Sequence, residues 1–261
     1  MANPWRRRID RAAELAGQRP AVAEILRFYG QVARFHETLQ PKLSTGLPAS
    51  PDDSLPSRVP LLLSEFAPFL SLVERSGPSS LANVASDLRA RGAESWAGLL
   101  DVCWSRTDGT PCQPQEFLAR AFLQSYAETL RLRTPLNLNG YTYPLCPFCN
   151  RRPGLGILRP MGDGAARSLV CAFCLAEWQF RRIVCPACGE EDNRNLPVYS
   201  ADEFDYLRVD ACDTCKTYIK AVDLSKNGLA EPAVDEIAGA ALDLWVQDHG
   251  YSKLQPNLVG M

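Results

Sequence analysis

Four Cys-x-x-Cys pairs in the second half of the chain constrain its fold more than any other feature. The pairs are Cys146/Cys149, Cys171/Cys174, Cys185/Cys188 and Cys212/Cys215. The first two pairs start 25 positions apart and the last two start 27 apart, and the earlier pair of each set begins with Cys-Pro. Such a repeat indicates two copies of one structural unit.

Two facing Cys-x-x-Cys turns supply four thiolates, which suit a closed tetrahedral Zn²⁺ site or a single iron. Pairing the turns in sequence leaves 21 and 23 residues between them, whereas pairing the two middle turns leaves ten and separates the outer ones. We therefore predict two metal sites. Their ligands are Cys146, Cys149, Cys171 and Cys174 in the first site, and Cys185, Cys188, Cys212 and Cys215 in the second.

Three other uses of these cysteines compete with metal binding. Packing preference alone does not produce four identical spacings. A thioredoxin-like redox pair needs a strand that leads into it and a helix that begins at it. The segment PACGEEDNRN is turn-like instead. An iron–sulfur cluster also uses four thiolates, but two consecutive ribbon units favour one ion per site.

The residue after each pair is informative because the chain there often adopts a left-handed backbone. Gly189 and Asn150 are of the two types that accept this conformation best. Leu175 and Lys216 stand at the matching positions of the other two pairs and fit it less well.

Hydrophobic periodicity divides the chain into a helical part and a cysteine-rich part. Residues 20–40 carry apolar side chains every three or four positions, which predicts an amphipathic helix, and similar patterns recur up to residue 133. Residues 41–60 contain five prolines and predict an irregular connection. Residues 134–144 have two prolines, Asn-Gly and no charge, and mark the predicted boundary.

We predict an α+β protein: an N-terminal bundle of five to seven helices, then two tandem rubredoxin-like or zinc-ribbon units, then a C-terminal helix. The predicted ranges are 1–135 for the helical domain, 141–184 and 185–222 for the two metal ribbons, and 231–250 for a helix that packs on the rest.

Charge and hydropathy limit the possible partners and locations. The net charge is −2, so no overall positive field attracts nucleic acid or an anionic membrane. The N-terminal segment lacks the apolar core of a secretory signal, and no run of about 18 apolar residues predicts a membrane span. We expect a cytoplasmic protein, in which paired cysteines are reduced and free to bind metal.

Few other residues are candidates for chemistry. Cys103 and Cys112 have no partner at metal spacing, and His36 and His249 are predicted to lie at the surface near helix ends. No phosphate-binding, serine-hydrolase or zinc-protease motif occurs. A closed four-thiolate site has no open position for a substrate, so we predict a protein that is not an enzyme.

The two predicted ribbons differ in charge. Residues 141–184 carry six arginines and two acids, a net of +4, whereas residues 185–220 carry four basic residues and eight acids, a net of −4. A nucleic-acid-binding ribbon should be basic throughout, so this bipolar charge favours recognition of a protein.

The run CAFCLAEWQFRRIVCPACG, followed by CDTCKTYIKAVD, resembles the FdhE-type formate dehydrogenase accessory proteins. The family pattern is C-x-x-C-x-x-E-W-x-x-x-R-x-x-C-x-x-C and then C-x-x-C-x-x-Y-x-K. It is met by Cys171, Cys174, Glu177, Trp178, Arg182, Cys185, Cys188, Cys212, Cys215, Tyr218 and Lys220. The resemblance covers residues 141–250, and Lys216 stands where the family often has glycine.

This resemblance implies a cytoplasmic maturation factor that binds the catalytic subunit of formate dehydrogenase before export. It also implies rubredoxin-like centres with iron or zinc, one ion in each four-cysteine site. We expect the ribbons and the helical part to form a client-binding groove, with Glu177, Trp178, Arg182 and Tyr218 as candidate contacts. The alternatives are a nucleic-acid-binding zinc ribbon protein and an iron protein that is redox active on its client.

Overall fold

The computed structural model describes residues 4–45, 59–107, 113–162 and 164–260. In these residues the N-terminal half forms six α-helices, which agrees with the predicted bundle. They are α1 (Pro4–Gln18), α2 (Ala23–Thr45), α3 (Val59–Ser76), α4 (Ser79–Arg91), α5 (Ala93–Ser105) and α6 (Pro114–Arg133). None of the described helices is long and apolar enough to cross a membrane.

Helix α6 is the centre of the bundle, because it is buried on nearly all sides. It begins with Pro114 at its first turn and a capping box between Gln113 and Glu116. Phe122 and Tyr126 of α6 are fully buried, and Phe122 contacts the aromatic rings of α2 and α3.

Two prolines lie inside helices. The connection predicted from residue 41 begins later, since α2 includes Pro41 and continues to Thr45, while residues 46–58 lie outside the described residues. Pro68, where the sequence predicts a kink or a break, lies within an uninterrupted α3.

The cysteine-rich half forms one seven-stranded sheet. Its strands are β1 (Pro153–Met161), β2 (Gly164–Cys171), β3 (Glu177–Gln179), β4 (Val198–Tyr199), β5 (Leu207–Cys212), β6 (Thr217–Asp223) and β7 (Ser252–Lys253). The order is β3-β2-β1-β6-β5-β4, with β7 also paired to β6. Each repeat supplies an antiparallel hairpin, β1–β2 or β5–β6, and the two hairpins join through a parallel β1–β6 pair. The two ribbons therefore share a continuous sheet.

The helix predicted over 231–250 is in fact two helices, α7 (Pro232–Ala238) and α8 (Ala240–Asp248), which meet at Gly239. A β-carbon at Gly239 would lie 2.7 Å from Leu207 Cδ1, so a larger residue would force the buried Leu207 side chain of β5 to shift. Lys220 donates to the carbonyl oxygens of Glu236 and Gly239, which satisfies the end of α7. The break thus follows from tertiary contacts that an apolar stripe does not reveal.

A buried ionic network holds α7 and α8 against the sheet. Lys220 and Lys253 both contact the carboxylates of Glu236 and Asp243, and all four side chains are almost completely buried. Tyr218 donates to Asp243 Oδ1 at 2.7 Å. The network contains two positive and two negative charges. Several short contacts between them offset the desolvation cost of each group.

Ion pairs also join the helical part to the rest. Arg8 donates to both carboxylate oxygens of Glu128 at 2.9 and 2.7 Å, which fixes α1 on α6. Arg11 donates to both oxygens of Asp235 in α7 at 3.0 and 2.6 Å, and Asp235 is fully buried. These bidentate contacts orient α1 against α6 and α7.

His36 does not lie at the surface as predicted. Its ring is wholly buried, 4.6 Å from the Trp5 ring centre in an edge-to-face arrangement. Burial, with a smaller contribution from the Arg8 charge, lowers the pKa of His36 to about 3. His249, by contrast, is exposed at the end of α8, and its ring stacks on Trp245.

The buried His36 makes stability depend on pH. An unfolded histidine has a pKa of about 6.5, so between pH 6.5 and 3 the unfolded chain binds a proton that the folded chain does not. We expect the change from pH 7 to pH 5 to cost about 2 kcal/mol through this residue. Urea unfolding of wild type and His36→Phe at both pH values measures the difference.

The matched control is His249→Phe, which alters the other histidine of the chain. Since His249 is exposed in the fold, the loss of stability between pH 7 and pH 5 should stay as in wild type. An equal pH dependence in wild type and His36→Phe would contradict the assignment.

Candidate metal centres

The first four-cysteine cluster lies where the β1–β2 hairpin meets the helical part. Cys146 and Cys149 come from the turn before β1, Cys171 ends β2, and Cys174 lies in the turn that leads to β3. The sulfur of Cys146 lies 3.5 Å from that of Cys174, and the sulfur of Cys149 lies 3.4 Å from that of Cys171. Three of the four residues are buried, and Cys149 is half-buried.

The second cluster repeats this arrangement on the β5–β6 hairpin. Cys185 and Cys188 form the turn after β3, Cys212 ends β5, and Cys215 lies in the turn before β6. The Cys185–Cys215 and Cys188–Cys212 sulfur distances are 3.8 and 3.6 Å. This cluster is more open, because Cys188 is exposed and Cys215 half-buried.

The backbone of all four turns is alike. The residue after each pair has a positive φ: 56° at Asn150, 56° at Leu175, 81° at Gly189 and 54° at Lys216. Among the described residues, the three non-glycine members of this set are the only side-chain-bearing residues with positive φ. Leu175 and Lys216 thus adopt the conformation that their residue types fit less well, at about 1–2 kcal/mol each.

Backbone groups support the turns. In three of them the N–H two residues after the first cysteine donates to its sulfur at 3.4 Å, namely Phe148 to Cys146, Phe173 to Cys171, and Ala187 to Cys185. In the fourth turn the N–H of Lys216 donates to the carbonyl of Cys212 at 2.9 Å. Such N–H groups favour thiolates over thiols.

The donor sets fit a tetrahedral metal ion. Four sulfurs about 2.3 Å from a Zn²⁺ lie about 3.8 Å from one another, and the contacts above range from 3.4 to 3.8 Å. Burial, together with the neighbouring Cys215, raises the pKa of the Cys185 thiol. A bound cation would favour the thiolate form of this cysteine. The chemistry suits zinc or mononuclear iron equally.

Arg151 connects the first cluster to the helical part. Its guanidinium lies over the Phe173 ring, 3.7 Å from the ring centre. It donates to the carbonyl oxygens of Arg106 at 2.9 Å and Trp104 at 2.7 Å, at the end of α5. The positive charge near the first turn also offsets the charge of four thiolates.

The four candidate partner-binding residues lie in different environments. Trp178 and Tyr218 are almost fully buried, so their side chains lie inside the fold and not at its surface. Trp178 Nε1 donates to the carbonyl of Tyr143 at 3.0 Å, on the segment that enters the first cluster. Glu177 pairs with Arg159, and Arg182 is exposed. Glu177 and Arg182 line two different cavities.

Sequence reasoning missed several residues that shape the region. Arg167, which is buried, forms an ionic group with the partly buried Arg208 and Asp210 beside the second cluster. No motif distinguishes these residues from surface charges. For Lys220 a signal did exist, since it completes the family pattern, but its role as a buried anchor of α7 was not inferred. Cys103 is buried in α5, apart from both clusters, and Cys112 lies outside the described residues.

Family models match the cysteine-rich part of the chain, and individual relatives match nearly its whole length. Residues 145–182 match the family "FdhE, central domain", and residues 183–259 match "FdhE, C-terminal domain". The "Protein FdhE homolog" of Aquifex aeolicus is 26% identical over 97% of this chain and 94% of the relative. That of Pseudomonas putida is 25% identical over 99% and 87%.

A solved structure shows the same fold. The crystal structure of the FdhE protein from Pseudomonas aeruginosa aligns with a TM-score of 0.69 and 24% identity. The alignment covers 98% of this chain and 95% of that one, so the likeness includes the helical part as well as the sheet.

Metal analysis tests the two clusters directly. We expect two metal ions per chain in wild type, and about one in Cys171→Ser and in Cys212→Ser, because a serine oxygen is a poor substitute for a thiolate. Elemental analysis of protein purified without added metal measures this ratio.

The matched control is Cys103→Ser, which should keep both ions. The Cys103 thiol donates to the Glu116 carbonyl at 3.4 Å, a bond that a serine hydroxyl can also make. If Cys171→Ser and Cys212→Ser retained two ions, the assigned ligand sets would be wrong.

Proposed function

We propose that this chain, whose residues 145–259 match the central and C-terminal domains of FdhE, is a formate dehydrogenase maturation factor that binds the catalytic subunit of that enzyme in the cytoplasm. The activity of that enzyme depends on this binding, and the chain itself catalyses no reaction. Closed four-thiolate sites support this non-enzymatic role, since they offer no position to a substrate.

The eight cysteines hold one metal ion in each cluster and thereby keep the turns in place. Cys146, Cys149, Cys171 and Cys174 bind the first ion, and Cys185, Cys188, Cys212 and Cys215 bind the second. A bound ion supplies the positive charge that keeps the sulfurs ionised. The chain itself orients the sulfurs, through backbone hydrogen bonds and through residues in left-handed backbone conformation.

The observation that carries the proposal is a groove of about 370 Å³ between the helical part and the sheet, which we call the junction groove. Its floor is a separate apolar cluster of β1 and β2 made of Leu155, Ile157 and Val170. Leu132 of α6 lies on one side and Leu224 on the other. The floor residues are themselves buried, whereas Leu132 at the rim is 52% exposed. An apolar groove between two structural parts is a common position for recognition.

Charged residues surround this apolar floor. Arg7 and Arg131 lie on the helical side, and Glu177 and Arg159 on the sheet side. The Leu175 turn of the first cluster also lines the groove, next to the ligand Cys174. A client segment with apolar side chains and flanking charges would fit here, and its contact with Leu175 would couple binding to the first metal ion.

A second candidate is an iron protein that exchanges electrons with its client. It is favoured by the second cluster, where Cys188 is exposed and the ion would lie close to the surface. The sulfur geometry is compatible with iron.

Substitution within the junction groove tests client binding. Leu132 is 52% exposed, so Leu132→Glu should fold normally yet place a charge in an apolar contact. We expect at least about tenfold weaker binding to the purified catalytic subunit of formate dehydrogenase, measured by biolayer interferometry.

Leu244→Glu is the matched control, because Leu244 is an exposed leucine of α8 that does not line the groove. Its affinity should equal that of wild type, and both variants should retain wild-type metal content. Equal weakening in both, or in neither, would refute the groove as the docking site.

The choice of metal separates the two candidate functions. If the clusters are structural, zinc-loaded and iron-loaded proteins should restore formate dehydrogenase activity equally to an extract that lacks this chain. If the iron exchanges electrons, only the iron form should be active and should show the visible absorption of a ferric tetrathiolate. Activity of both forms would exclude the redox function.

A further inference from the structure

A second cavity, of about 200 Å³, lies beside the second four-cysteine cluster. We call it the arginine pocket. Its walls are mostly apolar, with Val184, Leu196, Ile219 and Leu254 among them, and Cys185 and Cys212 lie at one side. On one side the pocket is lined by residues 182–187, which connect the two repeats. On the other side it is lined by residues of β4 and β5.

A buried arginine lines this pocket and lacks a complete set of partners. Arg167 of β2 has a side chain that is only 2% exposed. Its Nη1 donates to the carbonyl of Val184 at 3.0 Å. Its Nη2 lies 3.1 Å from Asp210 Oδ2, but neither Nη2 nor Nε makes a hydrogen bond. Unsatisfied donors at this depth are costly unless a ligand or water accepts from them.

Three arginines and one acid line the pocket, next to two cysteines of the second cluster. Arg167, Arg182 and Arg208 line it, and Asp210 is the only acid among its described lining residues. Arg208 Nη2 donates to Asp210 Oδ2 at 3.3 Å, whereas Arg208 Nε lies 2.8 Å from Asp210 Oδ1 without a hydrogen bond. One carboxylate is therefore shared between two guanidinium groups and satisfies neither completely.

From this geometry we infer that the arginine pocket binds a carboxylate group attached to a small apolar body. A carboxylate accepts two parallel hydrogen bonds from a guanidinium, and Nε and Nη2 of Arg167 make no hydrogen bond within the protein, although Nη2 lies near Asp210. Ile183 and Val198 are 54% and 55% exposed and line the pocket, so they would contact the apolar part of the ligand.

A purely structural reading is that the arginines balance the charge of the thiolates at the second cluster. That role needs no ligand and predicts no saturable binding. It also gives no reason for an apolar opening. Binding measurements therefore distinguish the two.

The first experiment titrates the metal-loaded protein with isobutyrate and with its neutral isostere isobutyramide, followed by NMR. Isobutyrate should bind saturably, with shifts in residues of the pocket, and the amide should bind at least about tenfold more weakly. Absence of saturable isobutyrate binding, or equal binding of the amide, would overturn the inference.

Substitutions then locate the site. Val198 is paired with Asp210 across β4 and β5, so the carboxylate of Val198→Asp would lie beside the arginines and compete with the ligand. Isobutyrate affinity should fall at least tenfold in Val198→Asp. The control Leu229→Asp, at an exposed leucine that does not line the pocket, should bind as wild type. Equal affinity in Val198→Asp and wild type would overturn the inference.

A variant with increased affinity for isobutyrate distinguishes ligand binding from a purely structural role of the arginines. Asp210→Asn removes the internal carboxylate that the ligand must compete with, and should bind isobutyrate at least about threefold more tightly. Unchanged or weaker binding by folded Asp210→Asn would overturn the inference. If that variant does not fold, Val198→Asp alone decides.

The carboxylate can belong to a free small molecule or to an acidic side chain of a protein segment. N-acetyl-Leu-Glu-Leu-amide and its Gln counterpart distinguish these sources. Displacement of isobutyrate by the Glu peptide at more than tenfold lower concentration indicates a protein segment, and displacement only at equal or higher concentration indicates a free carboxylate. Equal displacement by the Gln peptide would contradict recognition of the charge.

Discussion

The gathering of four thiols at the end of a β-hairpin is the constraint on which this structure depends. Cys171 ends β2 and Cys212 ends β5, so each cluster fixes where a strand stops and how the chain turns. The same turns hold Leu175 and Lys216 in left-handed backbone, which an isolated leucine or lysine avoids. Interactions within the clusters must therefore outweigh that local cost.

The two clusters belong to a single body. The β1–β6 pair joins the hairpins, and the buried Lys220 joins the second hairpin to α7 and α8. From α7, Asp235 reaches Arg11 of the helical part. A continuous path of hydrogen bonds and ion pairs thus links the second hairpin, the C-terminal helices and the bundle. The junction groove lies where these parts meet, so its shape depends on all of them.

Sequence predicted the features that local patterns encode. Four repeated pairs gave the two clusters, apolar spacing gave the helical bundle, and the family pattern of residues 171–220 gave the family. Features set by tertiary contacts were missed. His36 looks like an ordinary surface residue along the chain, and the family pattern marks Lys220 without indicating its burial. Both are wholly buried, because their surroundings come from distant elements. The same reason explains why the helix over 231–250 was predicted unbroken, since the contact of Gly239 with Leu207 is invisible in an apolar stripe. Trp178 and Tyr218 were distinguished by their motif, but burial makes them part of the framework.

The parallel β1–β6 join has a consequence for the order of assembly. The hairpins β1–β2 and β5–β6 are local and can form early, whereas their join brings together residues more than 60 positions apart, as in Gly156 and Ala221. Leu155 and Ile157 of β1 and Leu224 after β6 come to line one groove only when that late step is complete. A newly made chain in which β1 and β6 have not yet paired thus lacks a finished junction groove. If the groove is the docking site proposed above, binding there requires the completed sheet.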